Sequence, residues 1–186
     1  MSYKETVSMN TEIEIERKFV LSDLPSEVKD DLKEISTITQ FYIEDEKEPE
    51  KTFRVRATTF KNETTYVRTI KIPFEDTNSI GQYEDEIFIT ENEFYNHIEN
   101  STKRISKTRR VFNIDGNKWE FDVFTDFDLV ICELEMIAET SEEVEEVEKK
   151  LFNVEIPESI KKVLIKEVTG NKEYSNRSMA VPYTNQ

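Results

Sequence analysis

Apolar residues recur at every second position in eight separate stretches of the chain: 11–19, 38–44, 52–59, 64–72, 80–89, 103–113, 117–125 and 128–138. Side chains of a strand alternate between its two faces, so this period predicts eight β-strands. Four other stretches, 24–35, 91–100, 142–152 and 157–166, carry helical spacing. Thr90 with Glu93, and Thr140 with Glu143, have the spacing of a reciprocal cap, in which each side chain accepts from a free N–H of the first turn. Pro157 opens the last helix, where its missing N–H does no harm. Asp115-Gly116, between two strand patterns, is the signal of a two-residue hairpin turn. A β-dominated α+β domain follows, with the strands in either a barrel or an open sandwich.

The polar half of the alternation is unusual. Glu12, Glu14, Glu16 and Lys18 share one face of the first strand, opposite Ile13, Ile15 and Phe19. Arg54 and Arg56 share a face of the third, and Gln82, Glu84 and Glu86 one of the fifth. Lys107 with Arg109, Glu120 with Asp122, and Glu133 with Glu135 repeat the unit in the last three. One such pair is most simply a solvated strand face. The whole set fits that reading less well, because like charges at i and i+2 repel unless something of opposite sign lies between them. Paired carboxylates call for a hard cation such as Mg²⁺ or Mn²⁺. Paired guanidinium and ammonium groups call for an oxyanion, and arginine forks match phosphate oxygens. Both on one continuous face describe a site for a metal–polyphosphate complex.

Composition narrows the picture. The 186 residues suffice for one domain, read as 11–186 behind a disordered lead at 1–10. A net charge of −15 disfavours general nucleic-acid binding, so any bound anion must enter a local basic site. One cysteine, Cys132, excludes a disulfide framework within the chain, and no stretch is long and apolar enough for a membrane span; a cytoplasmic protein is expected. The three glycines do not cluster before a helix, which excludes a Walker loop and a dinucleotide fingerprint. His97, the sole histidine, has no nucleophile near it in sequence and reads as a surface or packing residue. Cys132, Trp119, Phe121 and Phe124 read as packing residues as well.

These residues resemble the motifs of the CYTH superfamily, the triphosphate tunnel metalloenzymes. Glu14-Ile15-Glu16-Arg17-Lys18-Phe19 resembles its ExExK signature, Arg54-Val55-Arg56 its RxR, and Thr69-Ile70-Lys71 its TxK. Glu84-Asp85-Glu86, Lys107-Thr108-Arg109, the Trp119–Phe124 stretch and Glu133-Leu134-Glu135 follow in the family's order. Glu167-Val168-Thr169 and Tyr174-Ser175-Asn176 resemble its closing segment. Gln82 departs from the pattern, standing where many relatives carry an arginine. Arg68 replaces an apolar residue and is expected to point outward.

The resemblance implies a closed eight-stranded antiparallel tunnel, most similar to the bacterial inorganic-triphosphatase-type members. It implies one or two Mg²⁺ or Mn²⁺ ions held by Glu14, Glu16, Asp122, Glu133 and Glu135. It also implies a triphosphate clamped by Lys18, Arg54, Arg56, Lys71, Lys107 and Arg109, with Glu84 and Glu86 on the same binding face. Glu14, Glu16, Lys18, Glu133 and Glu135 carry the implied hydrolysis. The partner is then a small-molecule triphosphate, with no membrane and no general nucleic acid, and a homodimer is permitted. A class IV-type adenylate cyclase would use the same site, and a binder of a phosphorylated small molecule would keep the cations without the metal ligands.

Overall fold

The computed structural model describes residues 12–26, 32–44, 53–73 and 80–184. Eight strands carry the domain: β1 (Glu12–Leu21), β2 (Leu32–Ile43), β3 (Phe53–Phe60), β4 (Glu63–Pro73), β5 (Gln82–Phe88), β6 (Lys103–Ile114), β7 (Asn117–Phe124) and β8 (Val130–Ala138). They pair antiparallel in the order β6-β2-β3-β4-β5-β1-β8-β7, and β7 pairs back onto β6, so the sheet closes into a barrel. Closure leaves no barrel edge strand, and it turns one face of every strand into a lumen. Two short strands extend the sheet: β9 (Leu164–Glu167) on β1, and β10 (Val181–Pro182) on β6.

The turns follow from local chemistry. Asp115 and Gly116 both have positive φ, at 52° and 81°, as the two-residue turn joining β6 to β7 requires. Helix α1 (Glu91–Ile98) starts at the Thr90–Glu93 capping box anticipated above. Helix α2 (Val144–Asn153) starts differently. The Thr140 hydroxyl caps nothing, the Glu143 carboxylate accepts from the Glu139 N–H, and Ser141–Glu143 form a single 3₁₀ turn before the helix.

The barrel's apolar face points outward. Ile13, Ile15 and Phe19 of β1, Trp119 and Phe121 of β7, and Cys132 and Leu134 of β8 form one cluster with Val144 and Leu151 of α2 and Ile160. Ile160 lies in α3 (Glu158–Lys161). A second cluster joins Phe41 and Val55 to Phe94 and Ile98 of α1. A third is inside the barrel, where Tyr42, Ile105, Phe124 and Ile131 meet Tyr174, Met179 and Ala180. Met179 ends α4 (Asn176–Met179). The helices thus bury the outer face, which frees the lumen face to be polar.

Two sequence expectations fail here. The helix expected at 24–35 is not formed where it is described: residues 32–35 already belong to β2, and 27–31 lie outside the described residues. Leu24, Leu32 and Ile35 mimic helical spacing, but cross-strand pairing with β6 decides the outcome. The helix expected at 157–166 ends at Lys161, and the β-branched and apolar run that follows pairs with β1 as β9. The lead expected at 1–10 also lies outside the described residues.

Candidate functional site

Strand register stacks the inward residues in layers. Tyr42, Ile105, Phe124 and Ile131 form an apolar floor. Above it, register brings Lys107 next to Phe124, Asp122 next to Ile131, and Lys18 opposite Glu133. The next layer holds Glu16 opposite Glu135, with Glu120 opposite Glu133 and Arg109 opposite Asp122 across their strand pairs. Glu14 lies further along β1, opposite Gln82.

Around the barrel the charges separate by sign. Strands β6, β3 and β4 contribute Lys107, Arg109, Arg54, Arg56 and Lys71. Strands β5, β1, β8 and β7 contribute Glu84, Glu86, Glu14, Glu16, Glu133, Glu135, Glu120 and Asp122, with Lys18 as the cation on this side. Strand β2, between β6 and β3, brings only Ile38, Gln40 and Tyr42 to the cavity. The cavity has a volume of about 480 Å³. Eight cations line it: Lys18, Arg54, Arg56, Lys71, Lys107, Arg109, Lys172 and Arg177. Five carboxylates join them, Glu14, Glu16, Glu84, Glu133 and Glu135. Directly behind them Glu86, Glu120 and Asp122 pair with Arg54, Arg56, Lys107 and Arg109, so within a chain of net charge −15 the eight lumen cations meet eight carboxylates.

The side chains hold one another in place. The Lys18 ammonium lies 2.9 Å from Glu16 Oε1 and 3.0 Å from Glu133 Oε1. Arg109 donates to both oxygens of Asp122 at 2.7 Å and to Glu133 at 2.9 Å, and it also pairs with Glu120. Lys107 donates to Asp122 from a site where both are 1 % exposed. Lys71 joins Glu14 to Glu84, Arg54 pairs with Glu84 and Glu86, and Arg56 with Glu86, which also accepts from the Thr69 hydroxyl. The Nε atoms of Arg54 and Arg56 are buried with no acceptor among the described residues. A buried donor left unmade is costly.

Neighbouring charges tune the carboxylates in opposite directions. Burial alone would raise Glu133, but Lys18 and then Arg109 hold it well below the usual carboxylate range. Asp122 is likewise held low against burial by Arg109 and Lys107. Glu135 is pushed up to about 7, by burial first and then by Glu14 and Glu120. Lys18 is raised despite its burial, because Glu133 and Glu16 face it. Among the described residues no three His, Cys, Asp or Glu side chains already converge as a metal cage. The donor set is nonetheless all hard oxygen. Glu14, Glu16 and Glu135 present carboxylates to the cavity, and a divalent cation would offset the burial and the Glu14 and Glu120 charges that lift Glu135.

The structure brings nearly all the residues singled out in the sequence to one lumen. Glu14, Glu16, Lys18, Arg54, Arg56, Lys71, Glu84, Lys107, Arg109, Glu133 and Glu135 line the cavity. Asp122 and Glu86 stand behind this lining as the counter-ions of Lys107 and Arg109, and of Arg56. Arg68 faces outward as expected, in register with Val55, with its guanidinium over the Phe53 ring. His97 is a packing residue, its ring edge-on to Phe53. Sequence reasoning missed Gln40 and Tyr42, whose strand carries no charged pair to signal it. It also missed Lys172 and Arg177, which reach the cavity from the segment after β9. Arg177 is anchored there by Glu44 at 3.0 Å, a pairing that no spacing along the chain reveals.

No protein-family model and no curated protein matches the sequence. Solved structures do match. The PH1819 protein of Pyrococcus horikoshii OT3 superposes with a TM-score of 0.62 at 20 % identity, over 75 % of this chain and 86 % of that one. An adenylate cyclase candidate from Vibrio parahaemolyticus gives 0.56 at 13 % identity, over 76 % and 86 %. A chain of the Schizosaccharomyces pombe Mediator head module gives 0.54 at 9 % identity, over 75 % and 91 %. At such identities the likeness establishes the barrel fold and leaves the chemistry to the site.

Proposed function

We propose that this chain binds a small-molecule triphosphate together with Mg²⁺ or Mn²⁺ in the barrel lumen and hydrolyses its terminal phosphoanhydride. One observation carries the reading: a cavity lined by eight cations inside a strongly acidic protein, with cations gathered on β6, β3 and β4 and carboxylates on the facing strands. The resemblance of its motifs, in order, to those of the CYTH superfamily supports the same reading.

In this reading Arg54, Arg56, Lys107 and Arg109 hold the phosphate oxygens from the cationic wall, and Lys18 and Lys71 approach from β1 and β4. Glu84, in the lining, and Glu86 and Asp122, behind it, orient those cations, so little reorganisation accompanies binding. Glu14, Glu16 and Glu135, with Glu133 beside them, would hold the metal ion. The bound ion would supply charge neutralisation and polarise the phosphate oxygens. A water oxygen attacks the terminal phosphorus, the bridging P–O bond breaks, and orthophosphate leaves with the diphosphate. The residues act through position and charge, as in phosphoryl transfer generally.

The test is phosphate release by purified protein from inorganic triphosphate, thiamine triphosphate, ATP and GTP, with Mg²⁺ or Mn²⁺ and an EDTA control. EDTA-sensitive release is expected, and Glu14→Ala with Glu16→Ala should cut it by well over tenfold. Activity within about tenfold of wild type, a barrier change of only about 1.4 kcal/mol, would remove the metal role from this pair. Cyclic nucleotide and diphosphate from ATP would reassign the chemistry to a cyclase. Tight binding without turnover would leave a binder.

A further inference from the structure

Strand β1 has uneven support on one side. Its ladder to β5 covers residues 12–14, and its ladder to β9 covers 19–21. Residues 15–18 lie between the two ladders, with Lys18 the last of them. Glu16 is in this gap and Lys18 is at its lip, and both line the cavity. The other side of β1 is held continuously by β8.

At that lip the ordinary ladder is replaced by a side chain. The Lys18 carbonyl accepts from the Val168 N–H at 2.8 Å, but the Lys18 N–H donates to the Thr169 hydroxyl at 3.0 Å rather than to a main-chain carbonyl. The Thr169 hydroxyl in turn donates to Glu167 Oε1 at 2.8 Å. Glu167 is gripped by Arg17 with two hydrogen bonds of 3.1 Å, from Nε to Oε1 and from Nη2 to Oε2. Arg17 is itself fixed: it is buried, donates to the Val154 carbonyl at 3.1 Å, and lies over the rings of Phe19 and Phe152. The chain Arg17–Glu167–Thr169 therefore starts on the outer face of β1, passes through the last residue of β9 to Thr169 just beyond it, and returns to β1 at Lys18, one residue after Arg17.

We infer that Thr169, oriented by the Arg17–Glu167 pair, is a positioning residue that fixes the main chain of Lys18 and with it the ammonium that faces the ligand. The inference rests on the proposed function for its catalytic meaning, but its physical content is the placement of Lys18. Thr169 touches no reacting atom. It supplies the hydrogen bond that closes β1 where the sheet does not, and a lysine held between Glu16 and Glu133 depends on where its backbone stands. The same brace sets the start of the segment that carries Lys172 and Arg177 to the cavity.

The experiment compares wild type with Thr169→Val, which keeps the shape and removes the hydroxyl, and Thr169→Ser, which restores it. Two readouts are taken: the Lys18 ammonium signal by lysine-selective NMR, assigned with Lys18→Arg, and the affinity for inorganic triphosphate by calorimetry. We expect Thr169→Val to shift or broaden the Lys18 signal and weaken affinity about tenfold, roughly 1.4 kcal/mol, while Thr169→Ser behaves as wild type. An unchanged Lys18 signal with affinity within about twofold overturns the inference. If the signal moves but wild type itself binds no triphosphate, the placement of Lys18 stands and the triphosphate reading falls. Should Thr169→Val fail to fold, Glu167→Gln weakens the Arg17 grip from a more exposed position and is read in the same way.

Discussion

Glu133 and Glu135 are two residues apart on one strand and are pushed in opposite directions. Lys18 and Arg109 face the first, and carboxylates dominate around the second. Neither could be told from the other in the sequence, where both are the same letter in one repeating unit. The raised group has a consequence for stability. Below its ordinary value near 4.5, Glu135 is protonated in folded and unfolded chains alike. Between there and about 7 only the folded chain keeps the proton, so stability is lost as the pH rises through that window. Each unit of such a shift corresponds to about 1.4 kcal/mol. Glu135→Gln, which mimics the neutral form, should melt above wild type at about pH 8 in EDTA, and the gap should close towards about pH 5. A gap that does not vary with pH would mean that Glu135 carries no such proton.

Elements were legible in the sequence where local pattern and tertiary pairing agree. The hairpin at Asp115-Gly116 and the cap at Thr90 are determined within a few residues, and both form as read. Because α1 covers the outer face of β2, β3 and β4, its cap is remote from the lumen. Thr90→Ala should therefore lower stability by about 1 kcal/mol in a denaturant titration and leave triphosphate affinity unchanged. The illegible elements are those decided by partners far along the chain. Leu32 to Ile35 could supply a helical stripe, yet β6 recruits them as strand. Leu164 to Lys166 read as the end of a helix, yet β1 takes them as its neighbour. The site divides in the same way. Paired charges on alternating positions announce six strands of the lumen, whereas β2 is silent because Ile38, Gln40 and Tyr42 look like any strand face. Arg177 is silent because it belongs to a helix of a single turn, too short to show a pattern, and its contact with Glu44 gives it a place.

At the scale of the whole molecule, the charge balance differs between the acidic surface and the interior, where cations are gathered. An approaching polyanion meets a repulsive outer field before it reaches the cations gathered in the lumen. Salt screens the outer field, which acts over distances longer than the Debye length, more than it screens short contacts inside the cavity. The association rate for inorganic triphosphate should therefore hold steady or rise as salt increases, measured by stopped flow. A steep fall would mean that attraction already dominates at long range. The outward position of the apolar clusters has a further consequence, for descent rather than for binding. Most of what folds this chain lies outside the barrel wall, beneath α1 and α2, with a smaller apolar floor inside, and what recognises a ligand lies above that floor. Selection can therefore exchange complementary lumen pairs such as Arg56 with Glu86, and retune the chamber for a new guest, without touching the contacts that hold the wall shut.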